Sequence, residues 1–206
     1  MRNMTLEEKV QELWDREQIR QCMHRYSRGV DRFDRDLILS AFHDDFIDEH
    51  GKFVGDRDEF VEWALEQHGR VHLSHQHLLM NHTCEIEGTT AHAETYFMFA
   101  GMNREGVPLT ILGGRYIDRL EKRNDEWRIV ARVTLRDWAD LDETPDIDDQ
   151  STMTSTAKIL SEIDRAFMRA GRRPARDRSD PSYERPLAVD PARREGYKRL
   201  LAEKGR

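Results

Sequence analysis

Hydrophobic residues recur at three- to four-residue spacing through roughly the first third of the chain, and at two-residue spacing from about Leu73 to Asp137. The first period belongs to helices with one buried face and the second to half-buried strands, so helices come first and a sheet second. Thr5-Leu6-Glu7-Glu8 has the form of a capping box, and Val10, Leu13, Trp14, Ile19, Met23, Tyr26 and Val30 continue it as a long amphipathic helix. A shorter helix is expected over Asp36 to Phe42, and a third begins at Asp56-Arg57-Asp58-Glu59 and carries Phe60, Trp63 and Ala64. Between them Phe46 to Val54 reads as a short strand or hairpin turning at Gly51.

β-Branched and aromatic residues then place strands near Leu73 to Glu87, Ala91 to Gly101, Leu109 to Lys122 and Trp127 to Asp137. The turns at Gly88-Thr89, Asn103 to Gly106 and Arg123 to Asp125 are too short for parallel crossovers, so neighbouring strands must run antiparallel. The fold class is α+β, with helices covering one face of a curved sheet. Gly113-Gly114 lacks the spacing of a phosphate loop and sits inside a strand, where a bulge or bend is the better reading.

After Asp140 the composition turns acidic and proline-containing, which sets residues 1–140 apart from an extension over residues 141–206. A helix is predicted over Ser155 to Ala170, where Ile159, Leu160, Ile163, Ala166, Phe167 and Ala170 form a stripe for docking on the core or a neighbour, or for covering a cavity mouth. Arg172 to Arg185 reads as mobile on composition, and Asp190-Pro191 starts a last short helix.

The 206 residues carry a net charge of -7, which gives no electrostatic reason to expect nucleic acid or an anionic membrane as partner. Two cysteines, Cys22 and Cys84, do not make a disulfide framework, and no run approaches the length of a membrane span. A cytoplasmic protein is expected.

Chemistry concentrates in Ser74 to His82, where imidazoles and a carboxamide interrupt an apolar strand. On an unbroken strand His75, His77, Leu79, Asn81 and Thr83 share a face, with His82 on the other, so the histidine spacing does not suit a metal and none is expected. An imidazole becomes an effective general base when a carboxylate fixes its tautomer, and Asp31 at the end of the first helix is the candidate partner. On an ideal helix Tyr26 and Asp31 point about 140° apart, so a common pocket requires Asp31 to reach around the helix end. In the last strand Arg128, Arg132, Thr134 and Arg136 fall on one face and Ile129, Ala131, Val133 and Leu135 on the other. The arginine face either lies in water or lines a cavity where a guanidinium could hold developing negative charge.

Tyr26-x4-Asp31, His77-x3-Asn81 and Arg132 five residues after Trp127 together resemble the SnoaL-like branch of the nuclear-transport-factor-2-like superfamily over residues 6 to 140. Within it the pattern is similar to the scytalone dehydratase, bile-acid dehydratase and hexachlorocyclohexane dehydrochlorinase group. The resemblance implies a cone-shaped α+β barrel and a cofactor-free dyad of Asp31 and His77, with Tyr26 as phenol and Arg132 as the group assisting departure. His75, Asn81, Tyr96 and Trp63 are expected to contact substrate. The implied reaction is elimination, most simply of water, from a hydrophobic cyclic or polycyclic molecule. An isomerase or cyclase using the same dyad, and a non-catalytic binding or dioxygenase small-subunit-like protein, remain open. The group's assembly implies a homo-oligomer, a trimer above a dimer, through the row Ile129, Ala131, Val133 and Leu135 on the outer face of the sheet.

Overall fold

The computed structural model describes residues 4–140 and 161–204. Helix α1 (Leu6–Arg32) starts on the expected capping box, in which Glu8 N donates to Thr5 Oγ1 at 3.2 Å and Thr5 N donates to Glu8 Oε2 at 2.8 Å. It ends where Phe33 turns left-handed at φ 55°. Its buried stripe begins only at Asp15 and Ile19, while Leu6, Val10, Leu13 and Trp14 stay exposed. Asp15 and Arg16 already bond Trp127 and Cys84 near the ends of their strands, so the first turns overhang the sheet and stay unburied among the described residues.

Helix α2 (Arg35–Leu39) is shorter than its hydrophobic pattern, because Ala41 O accepts from Ile129 N and Phe42 opens a strand instead. Gly29 permits the close crossing of α1 and α2, since a Cβ there would lie 2.7 Å from an Ile38 side-chain carbon. Strands β1 (Phe42–His50) and β2 (Phe53–Asp56) form the expected hairpin, with Gly51 at φ 63° in its turn. Helix α3 (Arg57–Val71) follows from its own Asp56/Glu59 capping box and carries Phe60 and Trp63 inward.

The meander β3 (His72–Glu87), β4 (Thr90–Asn103), β5 (Leu109–Arg123) and β6 (Glu126–Ala139) completes one curved sheet of order β2-β1-β6-β5-β4-β3. All pairings are antiparallel except β1 with β6, which runs parallel, the long stretch of chain between them giving the room that a parallel crossover requires. The register shifts at Gly113/Gly114, as the glycine pair implied; a Cβ on Gly114 would stand 2.0 Å from Leu135 O. Between the inner face of the sheet and the three N-terminal helices lies a core that includes Ile19, Met23, Tyr26, Phe42, Phe60 and Trp127.

The row expected on the outer face of β6 is not one row and is not exposed. A second register shift, where Leu120 pairs with Ile129 and Arg119 with Ala131, inserts Val130 and turns Ile129 into the inner core. Val133 and Leu135 remain on the outer face but are 1 % exposed each, covered by Leu187 and Val189 with Phe167 and Tyr197 beside them. The cover comes from the chain's own tail, in which α4 (Glu162–Arg169) and α5 (Pro191–Glu203) flank a segment of irregular backbone. Residues 155–160 of the predicted tail helix, with Ile159 and Leu160, lie outside the described residues.

Despite its arginine-rich composition, the segment from Arg172 to Arg185 is tied down. Asp180, 3 % exposed, receives two hydrogen bonds from Arg115 at 2.9 and 3.0 Å, and Arg172 bridges Glu49 and Glu184. Its arginines find carboxylates on the sheet, which composition does not reveal. No described helix is long and apolar enough to cross a membrane.

Candidate functional site

The helical layer and the concave face of the sheet enclose a cavity of about 150 Å³, apolar on Phe60, Trp63, Phe97, Phe99 and Leu112 and polar at its ends. Its central feature joins the end of α1 to the start of β3. Asp31 Oδ1 lies 2.6 Å from His77 Nδ1, and Asp31 Oδ2 accepts the His77 backbone N–H at 2.9 Å. Both side chains are shielded, 11 % and 6 % exposed. An ionised carboxylate only accepts, so Nδ1 carries the proton and Nε2, which lacks a hydrogen-bond partner among the described residues, is the basic nitrogen. Near the α1 terminus the carboxylate reaches β3 while Tyr26 enters the cavity floor, and the Tyr26 and His77 rings stand 6.3 Å apart.

Around this pair is a cluster of imidazoles. His68 stacks on His75 at 4.2 Å, and His72 and His77 stand within 5.9 Å of it by ring centroid. Burial pushes His68 far below the ordinary histidine value and lowers His72 and His75 as well, with neighbouring imidazoles adding to the effect. These rings are neutral at pH 7. His75 Nε2 donates to Val30 O at 3.2 Å and stands 3.6 Å from Asp31, so His77 alone has the carboxylate at hydrogen-bond distance. Ligand atoms of Asp31, His75 and His77 lie within 4.8 Å of one another, a set that could contact a metal ion. At 2.6 Å, however, the Asp31–His77 pair is spaced for a shared hydrogen, and His75 already spends its Nε2–H on a carbonyl.

A second polar group lies beneath the floor. Arg132, fully buried, is paired with Asp118 at 2.7 and 3.0 Å and sandwiched by the Tyr26 and Tyr116 rings at 4.2 and 4.3 Å. Burial alone would lower the guanidinium, but the adjacent Asp118 outweighs it and holds Arg132 charged. Burial pushes Tyr26 up to about 12 and Tyr116 well above the ordinary phenol value, so both phenols stay protonated as donors.

The SnoaL-like domain family matches residues 11–133. The chain belongs to that family. Among solved structures, this SnoaL-like chain is similar to a scytalone dehydratase-like protein of Novosphingobium aromaticivorans, with a TM-score of 0.60, 19% identity and 66% of this chain and 93% of that one covered. It is similar also to a type-2 LinA hexachlorocyclohexane dehydrochlorinase (TM-score 0.60, 15% identity, 66% and 97% covered). A Mycobacterium tuberculosis protein of unknown function matches with TM-score 0.57 and 21% identity over 71% of this chain and 91% of that one. No curated protein matches.

Of the SnoaL-like site residues expected from sequence, the structure brings His77, Tyr26 and Trp63 to the cavity wall, with Asp31 bonded to His77 from behind it, and separates the others from it. Arg132 lies beneath the floor, in contact with the phenols and Asp118 but not with the open volume. His75 sits behind the dyad, packed against His68 and Phe33. Asn81 is exposed because β3 shifts register between Leu79 and His82, which breaks the parity that had put it beside His77. Tyr96 is 42 % exposed, and its neighbours Phe97 and Phe99 take the inward positions of β4. Sequence reasoning missed His68, Tyr116 and Asp118. A carboxylate between apolar strand residues was the available signal for Asp118, whereas His68 looked like any polar residue near a helix end.

Proposed function

We propose that this SnoaL-like protein is a cofactor-independent lyase that eliminates a β-leaving group, most simply water, from a small ring compound. The observation that carries the reading is the 2.6 Å contact of Asp31 Oδ1 with His77 Nδ1 at the wall of the cavity, which leaves Nε2 as the base. His77 Nε2 takes the proton from the carbon next to the leaving group, and the freed electron pair becomes the new double bond. Asp31 fixes the tautomer and then stabilises the imidazolium. As the carbon–oxygen bond breaks, the departing oxygen is met by the Tyr26 hydroxyl, whose donor strength is supported by Arg132 against its ring face. The oxygen leaves as water after taking the proton collected by His77, and the dyad returns to its starting state. A cavity of about 150 Å³ is of the size that admits a benzene-like ring, which favours a monocyclic over a polycyclic core.

A screen of cyclic β-hydroxy ketones and β-hydroxy acids, read by mass spectrometry for loss of water, tests the reaction class. With a substrate in hand, His77→Ala and Asp31→Asn are each expected to lower kcat by about 10²- to 10⁴-fold while leaving substrate binding largely intact. Undiminished turnover in both variants contradicts the assignment, and a product of unchanged mass would point to isomerisation by the same base.

A further inference from the structure

The half-buried and buried arginines facing the sheet share one habit. Arg115 is held by Glu94, Asp137 and Asp180, Arg132 by Asp118, Arg172 by Glu49 and Glu184, and Arg193 by Glu49. Arg136 departs from it. It projects from β6 on the same face as Thr134 and lines the cavity, yet it makes no ion pair or hydrogen bond with any described residue. Beside it at the same end is Lys52, from the β1–β2 turn, whose Nζ donates only to the neutral Gln67 Oε1 at 3.3 Å. Asp164, the carboxylate with the strongest field at Lys52, is itself engaged by Lys204 and Ser161.

A guanidinium half withdrawn from water without a counter-charge is destabilising, and partial burial lowers both Arg136 and Lys52 from their ordinary values. Such a pair is retained where a ligand supplies the missing charge. Of the imidazoles lining the cavity, His50, His68 and His72 add no positive charge at pH 7, since burial holds them below their ordinary values. The anion-seeking end is therefore confined to Arg136 and Lys52, and the base to the other side. In the sheet β6 and β3 are separated by β5 and β4. Three strand spacings are about 14 Å along a flat sheet and less across a concave one, and the arginine and histidine side chains close much of that gap.

We propose that the cavity selects ring compounds bearing a carboxylate, which Arg136 grips with its two-pronged guanidinium and Lys52 with its ammonium. The carboxylate anchors one end of the molecule and presents the far side of the ring to His77. This inference rests on the reading of the cavity as a substrate site and names the class of substrate.

Benzoate and its neutral isostere benzamide are suitable probes, titrated by calorimetry or ligand-observed NMR against the full chain. Benzoate is expected to bind at least about tenfold more tightly than benzamide, as a charge-assisted bidentate contact would give. Arg136→Gln should erase that preference, Lys52→Gln should reduce it severalfold, and Arg136→Lys should keep part of it. Thermal melting of each variant distinguishes lost binding from lost fold, and Lys52→Gln provides an independent reading if Arg136→Gln does not fold. Equal affinities for the two probes, no binding of either at millimolar concentration, or a preference that survives Arg136→Gln overturns the proposal. Because binding is read without turnover, its failure is distinct from failure of the Asp31–His77 chemistry, which His77→Ala reports through kcat alone.

Discussion

At the scale of single residues, the protein depends on histidines that must remain neutral. His50, His68, His72 and His75 all have their values lowered from 6.5, each chiefly by burial. For a base with a folded-state pKa below the unfolded one, the unfolded chain binds more protons, so stability is complete above the unfolded value and declines as pH falls through it. Chemical denaturation is therefore expected to show a marked loss of stability between pH 7 and pH 5. His68 alone contributes up to about 1.4 kcal/mol per pH unit below its unfolded value. His68→Phe, which keeps the ring stacking and removes the titration, should flatten that slope; an unchanged slope would mean that His68 already titrates normally in the fold. Asp31 was legible as a carboxylate partner from its place at the end of the first helix, and the family resemblance singled out His77 among the imidazoles of the strand. His68 was not, since its burial follows from how α3 lies over β3, a long-range fact.

At the scale of elements, hydrophobic period located nearly every helix and strand, and its failures have local causes. The first turns of α1 have an apolar stripe but overhang the strands that would bury it. Strict alternation misassigned Asn81 and Ile129 because β3 shifts register after Leu79 and β6 gains an extra residue at Val130. One inserted residue moves every later side chain to the opposite face, and hydrophobicity alone does not mark where that happens. The tail has a comparable lesson: its arginine-rich segment reads as mobile on composition, but the sheet provides Glu49 to Arg172 and Arg193 and Glu85 to Arg185. Asp180 sits below its ordinary 3.8 because the Arg115 and backbone hydrogen bonds outweigh its burial. Its contribution is present above that value and lost as pH falls below it. Arg115→Ala leaves Asp180 buried without its cation and is expected to destabilise the protein by about 3–5 kcal/mol. Urea denaturation checks this, and a loss below about 1 kcal/mol would show that the tail docks without the pair.

For the whole molecule, the fold separates two tasks between the faces of one sheet. The inner face and the helices enclose the cavity, and the outer face is closed by residues 161–204 through Leu187 and Val189 on Val133 and Leu135. That cover removes the exposed apolar row on which association through this face was expected. A chain ending at Asp140 should expose Val133 and Leu135 and self-associate in sedimentation velocity more strongly than the intact chain; identical behaviour would show that the tail does not shield the sheet. Within the enclosed half, the account rests on the Asp31 carboxylate fixing one tautomer of His77, residues that lie 46 positions apart in the chain. Long-range nitrogen–proton NMR of the imidazoles tests this without any knowledge of the substrate. The account predicts that the neutral His77 ring is protonated at Nδ1 and bare at Nε2, with a strongly downfield Nδ1 proton that is lost in Asp31→Asn. A His77 ring protonated at Nε2 with Nδ1 bare, unchanged by Asp31→Asn, would contradict it.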